Sequence, residues 1–159
     1  MGSRSKTDLA YIAGFLDGDG SLMLQIKKRK DGRLKKRFMC TVCFYQDTRH
    51  ERNLYWIREK IGIGYISRRN DGMTELRVNG FKQVRDILLA LLPFIRFKKL
   101  QAKALYSAAH LLSNTELQRL TKAQLTRILN FILVIQGENY VTKRKKTRKE
   151  LCKILDLTP

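Results

Sequence analysis

Helical spacing of apolar residues over Thr7 to Asp19 gives way to an alternating run from Ser21 to Lys30, a turn at Asp31-Gly32, and a second alternating run from Arg33 to Gln46. The same order then recurs. Asp47 is placed to cap a helix running through Lys60, and Gly62 suits its end. Strands at Ile63 to Arg69 and Met73 to Val78 flank Asn70-Asp71-Gly72, where glycine allows the positive φ of a tight hairpin. After Asn79, read as a helix cap, Phe81, Val84, Leu88 and Leu91 return to helical spacing until Pro93 interrupts them. Two further helices are expected, Arg96 to Leu112 and Thr115 to Gln136, and the capping-box spacing of Thr147 and Glu150 predicts a short last one. This is an α+β order, α-β-β-α-β-β-α with trailing helices, whose two hairpins can join in one antiparallel sheet.

The alternation assigns the two faces of that sheet. Leu22, Leu24 and Ile26 oppose Met23, Gln25, Lys27 and Arg29; Phe38, Cys40, Val42 and Phe44 oppose Arg37, Met39, Thr41, Cys43 and Tyr45. Ile66, Leu76 and Val78 oppose Ser67, Arg69, Glu75 and Arg77. One face is expected to be covered by helices and the other to meet water. The polar set is chemically suited to reading a major groove, since Gln and Arg match adenine and guanine edges and Glu accepts from the cytosine amino group. A solvated face is the common explanation of any single charged strand. Here eight basic residues and one acidic one lie between Lys27 and Arg37, which favours contact with a polyanion.

Charge strengthens that reading. The 159 residues carry 33 basic and 14 acidic side chains, a net +19, which repels itself unless a nucleic acid or an anionic surface meets it. The longest apolar stretches, Ile87 to Ile95 and Ile128 to Ile135, are interrupted by Pro93 and Asn130 and fall short of the ~20 residues that span a bilayer, so no membrane partner is expected. No secretory signal is visible, and three cysteines, Cys40, Cys43 and Cys152, cannot all pair within one chain, as suits a reducing compartment. The Cys40-x-x-Cys43 spacing does not make a zinc site, because strand alternation sends the two thiols to opposite faces. One domain over 1–159 is expected, with a core of about 7–112 and a helical, basic segment over about 113–159.

Ile12-Ala13-Gly14-Phe15-Leu16-Asp17-Gly18-Asp19-Gly20 violates several local rules at once. Glycine within a helix costs about 1 kcal/mol relative to alanine, yet Gly14 and Gly18 share one stripe with Ala10. Asp17 and Asp19 end the helix where its dipole disfavours negative charge by roughly 0.3–1 kcal/mol. A small-residue stripe admits a second backbone, and a carboxylate among carbonyl oxygens suits a hard cation. Ordinary turn chemistry also explains Asp-Gly pairs and would be preferred without the basic sheet.

With its surroundings, this nonapeptide resembles that of the LAGLIDADG homing endonucleases, specifically the single-motif members that act as homodimers. Ala13, Gly14, Asp17, Asp19 and Gly20 match the motif, and Ile12, Phe15, Leu16 and Gly18 are variants of apolar or small type. Gly62-Ile63-Gly64-Tyr65 and Pro93-Phe94 followed by Lys98 extend the likeness, which covers about Thr7 to Leu112. The resemblance implies a curved four-stranded antiparallel sheet that binds DNA, backed by helices. It implies that Asp19 and the Gly18 carbonyl hold metal, Gln46 positions solvent, Lys98 lines the catalytic pocket and Asp17 supports it. Gln25, Lys27, Arg29, Arg37, Ser67, Arg69, Glu75 and Arg77 fall on the DNA-reading face, and Thr142, Lys143 and Lys146 where related chains touch phosphates. Ala10, Ala13, Gly14, Asp17 and Gly18 would form the dimer interface, bringing two Asp19 carboxylates to the axis.

The function so implied is site-specific cleavage of both strands of a long pseudo-palindromic duplex by a homodimer, through metal-dependent phosphodiester hydrolysis with 3′ overhangs. Mg2+ is the implied cofactor, with Mn2+ or Ca2+ as substitutes in the metal site, and no small-molecule cofactor is expected. The implied location is intracellular with access to DNA, in a prokaryotic cytoplasm or an organelle. Two other readings of the charge stay open: an RNA-binding intron maturase, and a non-catalytic basic component of a ribonucleoprotein.

Overall fold

The computed structural model describes residues 4–31 and 35–159. Ten elements carry the architecture: α1 (Lys6–Asp19), β1 (Gly20–Lys28), β2 (Lys36–Asp47), α2 (Arg52–Ile61), β3 (Tyr65–Arg68), β4 (Met73–Asn79), α3 (Phe81–Leu91), α4 (Lys99–Asn114), α5 (Lys122–Glu138) and α6 (Arg148–Leu155). The two hairpins join through β2 and β4 in one antiparallel sheet of order β1-β2-β4-β3. Gly32 and Arg33, expected in the first turn and at the start of the second strand, lie outside the described residues.

The apolar parity turns toward the helices as expected. Leu22, Leu24, Phe38, Cys40, Val42, Phe44, Leu76 and Val78 are buried against α1, α3, α4 and α5. Ile128, Leu129 and Leu151 from the carboxyl third belong to the same apolar core, so α5 and α6 pack on the sheet's side rather than apart from it. Complete burial of a leucine- or isoleucine-sized side chain stabilises by about 1.5–3 kcal/mol, so each of these strands is anchored chiefly by its inward set.

Several predicted boundaries shift, each for a local reason. Asp47 does cap a turn, accepting from the Arg49 amide at 2.9 Å, but that turn is a 3-10 segment, Thr48–His50, and α2 begins only at Arg52. Asn79 is not the cap of α3: it ends β4, where its side-chain oxygen accepts from the Thr41 hydroxyl at 2.6 Å, and Gly80 caps instead with φ 103°. The helix expected from Thr115 starts at Lys122, since Thr121 and Gln124 form a reciprocal capping box there and residues Leu117–Arg119 make a separate 3-10 turn. The box expected at Thr147 and Glu150 is present, Thr147 accepting from the Glu150 amide at 3.2 Å and donating its own amide to the Glu150 carboxylate at 2.6 Å. Hydrogen bonding from the Thr147 backbone amide, and then from its side chain, holds the Glu150 carboxyl below its usual range.

The outward parity departs from a uniformly wet face. Thr41 and Cys43 have no exposed surface, and Glu75 is nearly as buried. These residues occupy the two central strands, where neighbours from both sides cover them: Cys43 stands opposite Ser21 on β1 and Arg77 on β4. Burial pushes the Cys43 thiol up to about 11 and the Cys40 thiol up to about 12, so both stay protonated and poorly nucleophilic.

Candidate catalytic cleft and nucleic-acid interface

Asp17 and Asp19 end α1 against the helix dipole, and the tertiary structure offsets the penalty for one of them. The Asp17 carboxylate accepts hydrogen bonds from the backbone amides of Arg96 at 2.7 Å, Phe97 at 3.3 Å and Lys98 at 3.0 Å. These are the amides entering α4, whose start carries positive dipole charge. In return the Lys98 ammonium donates to the terminal carbonyls of α1, Leu16 O at 2.9 Å and Asp17 O at 2.8 Å. Two helix ends are therefore tied by charges of the sign each lacks. This exchange also explains why α4 starts at Lys99 rather than at the expected Arg96: residues 96–98 are spent on Asp17.

Asp19 is left out of the exchange. It is exposed, and its carboxylate makes no hydrogen bond or ion pair with another described residue. It lines an open cleft of about 520 Å³ together with Gly18, Ser21, Gln25, Tyr45, Lys98, Gln101 and Glu138. The cleft thus holds a free carboxylate facing an ammonium that is half withdrawn from water. Burial lowers the Lys98 pKa from the ordinary lysine value, and the charges of Asp17 and Asp19 oppose that shift. Among the described residues no three His, Cys, Asp or Glu side chains gather as a metal site. What one chain offers is a hard-oxygen set, the Asp19 carboxylate beside the Gly18 carbonyl, with no thiol or imidazole among the cleft residues.

Asp19, Gly18 and Lys98 line this cleft, and Gln46 follows the lining residue Tyr45 on β2. Gln46 lies near the end of β2, two residues past the partner of Gly20, and its side-chain oxygen accepts from the Asp47 amide at 2.8 Å. Its amide nitrogen remains available as a donor. Sequence reasoning missed Gln101, which stands one turn after Lys98 on α4 among apolar residues; a polar side chain on that buried face was the available signal.

On the outward sheet face, Gln25 and Lys27 are half-buried and Arg29 and Arg37 are exposed. Arg69 lies over the Tyr45 ring at 6.0 Å and pairs with Asp71 at 2.7 Å, while Ser67 stands opposite Glu75. Glu75, expected as a free reader, is instead paired with Arg77 at 3.1 Å and accepts from the Cys43 thiol at 3.8 Å. The two side chains therefore present a joined unit to any ligand. Thr142, Lys143 and Lys146 are exposed beyond α5. That segment is held in place by an amide clamp missed at the sequence level: Gln136 donates to Lys146 O and accepts from Lys146 N, both at 3.1 Å. Between the segment and β1 lies a second cleft of about 220 Å³ lined by Gln25, Lys27, Gln136, Thr142, Arg144 and Lys146.

The small-residue stripe of α1 is open along Ala10, Gly14 and Gly18, and a Cβ added at either glycine would meet no atom within 4 Å. Ala13 does not belong to this stripe. It has no exposed surface and packs within the chain's own core, because its position falls on the inward side of α1 with Ile12 and Leu16.

Fold and cleft together define a class: an α+β protein with helices on one side of an antiparallel sheet, basic side chains on the other, and a carboxylate and an ammonium at the sheet's end. Residues 12–100 match the LAGLIDADG endonuclease family. The DNA endonuclease I-CvuI of Chlorella vulgaris is 36% identical over 107 residues, which is 67% of this chain and 66% of that protein. The DNA endonuclease I-CreI of Chlamydomonas reinhardtii is 33% identical over 98 residues, 62% of this chain and 60% of that protein. The aligned stretches thus span slightly less than two thirds of those relatives. A crystal structure of I-CvuI with the I-CreI target in the presence of Mg, its DNA not cleaved, matches with TM-score 0.78 and 27% identity over 95% of this chain and 94% of that one. The archaeal intron-encoded homing endonuclease I-Vdi141I complexed with DNA shares the fold, with TM-score 0.79 at 23% identity over 94% of this chain and 95% of that one. The chain belongs to the LAGLIDADG endonuclease family.

Proposed function

We propose that the chain is a site-specific DNA endonuclease that acts as a homodimer on a long pseudo-palindromic duplex and cuts both strands, leaving 3′ overhangs. The observation that carries this reading is the presence of an unengaged Asp19 carboxylate and the half-buried Lys98 ammonium in one cleft beside the basic sheet face. Membership of the family and the DNA-bound state of its relatives I-CvuI and I-Vdi141I support it. A further I-CvuI structure with its target in the presence of Ca supports a hard divalent cation at the Asp19 position.

In this reading Asp19 and the Gly18 carbonyl of each copy hold Mg2+, a match of hard oxygen donors to a hard cation. An ion held there would supply Lewis-acid polarisation of the phosphodiester, an activated water and charge stabilisation at the leaving oxygen. The chain's own groups supply the remainder. Lys98, fixed by two carbonyl acceptors, keeps its third N–H for the charge that builds on the phosphate. Gln46, with its oxygen engaged by Asp47, uses its amide nitrogen to orient solvent. Gln25, Lys27, Arg29, Arg37, Ser67, Arg69 and the Glu75–Arg77 pair face the major groove, while Thr142, Lys143 and Lys146 meet phosphates.

Selection from a randomised duplex library with Mg2+, followed by sequencing of the cut ends, tests activity, symmetry and specificity together. Symmetric sites with 3′ extensions are the expected product. Asp19→Asn is expected to abolish cutting and leave duplex binding intact in a gel-shift assay. Cleavage retained by Asp19→Asn would falsify the assignment, and tighter binding to folded RNA with indifference to Asp19 would replace it with an RNA-binding role.

A further inference from the structure

Gln101 is a largely buried polar residue of the cleft whose chemistry the reading above leaves unused. The residue is 8% exposed, and it lines the cleft shared with Asp19 and Lys98. Its amide makes no hydrogen bond with another described residue. A primary amide carries two donors and two acceptor sites, and here neither amide atom is sealed from the cleft, so both stay open to a ligand that enters it. Among the other polar groups of the cleft, the Ser21 and Tyr45 hydroxyls bond each other at 3.0 Å, the Asn139 side-chain oxygen accepts from the Val141 amide at 3.2 Å, and Glu138 is exposed to solvent. Lys98, the cap residue of α4, and Gln101 in the first turn of that helix both line the cleft.

We propose that Gln101 is a catalytic residue, its amide N–H donating to a nonbridging oxygen of the phosphate that Lys98 also meets. This rests on the nuclease reading. The physical case is the geometry of its support. The side chain stands on a helix rather than a loop, the start of that helix is pinned by the three bonds to Asp17, and burial removes most of its rotamer freedom. A donor so fixed needs little reorganisation as charge develops, which is the condition under which one hydrogen bond speeds a reaction most. A neutral donor also complements Lys98: it stabilises the oxygen without adding charge that would compete with the cation for Asp19.

The test uses full-length chain, a duplex recovered by the selection described above, and the same duplex with a phosphorothioate at the cut position. Gln101→Met keeps length and packing while removing the donor. Its single-turnover cleavage is expected to fall about 10- to 100-fold, with affinity in Ca2+ unchanged within about threefold. Sulfur accepts hydrogen bonds poorly, so the thio substitution should slow the unaltered chain more than it slows Gln101→Met. Independent penalties in the two would show that Gln101 acts only through packing and would overturn the proposal. Gln101→Glu, which also loses the donor, keeps the question open to experiment should the methionine variant fold poorly; cleavage at the unaltered rate in either variant overturns it as well. A readout without turnover is the side-chain amide resonance of Gln101, expected to shift on adding duplex in Ca2+ and overturning the proposal if it stays in place. If the unaltered chain cuts no duplex, it is the nuclease reading that fails rather than the role of Gln101.

Discussion

Asp17 and Asp19 stand one residue apart in the same motif and meet opposite fates. Asp17 is consumed by structure, since its carboxylate takes the three amides that open α4. Asp19 has no such partner and faces the cleft. Asp17→Ala is therefore expected to lower stability by about 2–3 kcal/mol, the scale of a lost cap with charge-assisted bonds, as measured by urea denaturation. Unaltered stability would mean that the three bonds contribute nothing net. Asp19→Asn should leave the denaturation midpoint in place, so the two substitutions separate support from chemistry. The sequence alone could name both aspartates as anomalous at a helix end, but it could not rank them. Their difference is made by residues 96–98, some eighty positions away, and no local pattern announces that meeting.

Elements with their own start signals were legible, and elements whose ends depend on distant partners were not. Thr147 and Glu150 lie in one turn and their capping bonds run to each other, so spacing suffices to find α6. Asn79 has the composition of a cap, yet its side chain is captured by Thr41 across the sheet, and Gly80 takes the role. The reading face shows the same limit. Alternation assigns Cys43 and Glu75 to the outward side correctly, but only the register shows them covered by neighbours and Glu75 joined to Arg77. The basic segment after α5 depends on the Gln136 clamp. Gln136→Met removes two hydrogen bonds without changing bulk and is expected to weaken binding about tenfold, equally for a recovered target and an unrelated duplex, because phosphate contacts carry no sequence information. A loss confined to the target, in competition gel shifts, would place this segment in base reading instead.

At the scale of the molecule, the stripe formed by Ala10, Gly14 and Gly18 separates folding from assembly. A side chain added at Gly14 meets nothing in the single chain, and replacing helical glycine by leucine favours the helix by roughly 0.8 kcal/mol. Gly14→Leu should thus fold at least as well while holding two copies apart. Sedimentation is expected to give a monomer, and cleavage a loss of double-strand cuts; a dimer with full activity would remove α1 from the interface. The net charge of +19 keeps free copies apart and becomes favourable once phosphates are present, so affinity should fall steeply as salt rises.

By itself the sequence determined the order of elements, the parity of each strand, the basic character and the acidic helix end, because these follow from periodicity, capping chemistry and charge within a few residues. Only the tertiary structure decided that Asp17 is spent on α4, that Ala13 turns inward, that Glu75 is paired and that Gln101 waits beside Lys98. Those outcomes depend on which side chains from separate elements come within hydrogen-bonding distance, and packing sets that distance while linear spacing does not.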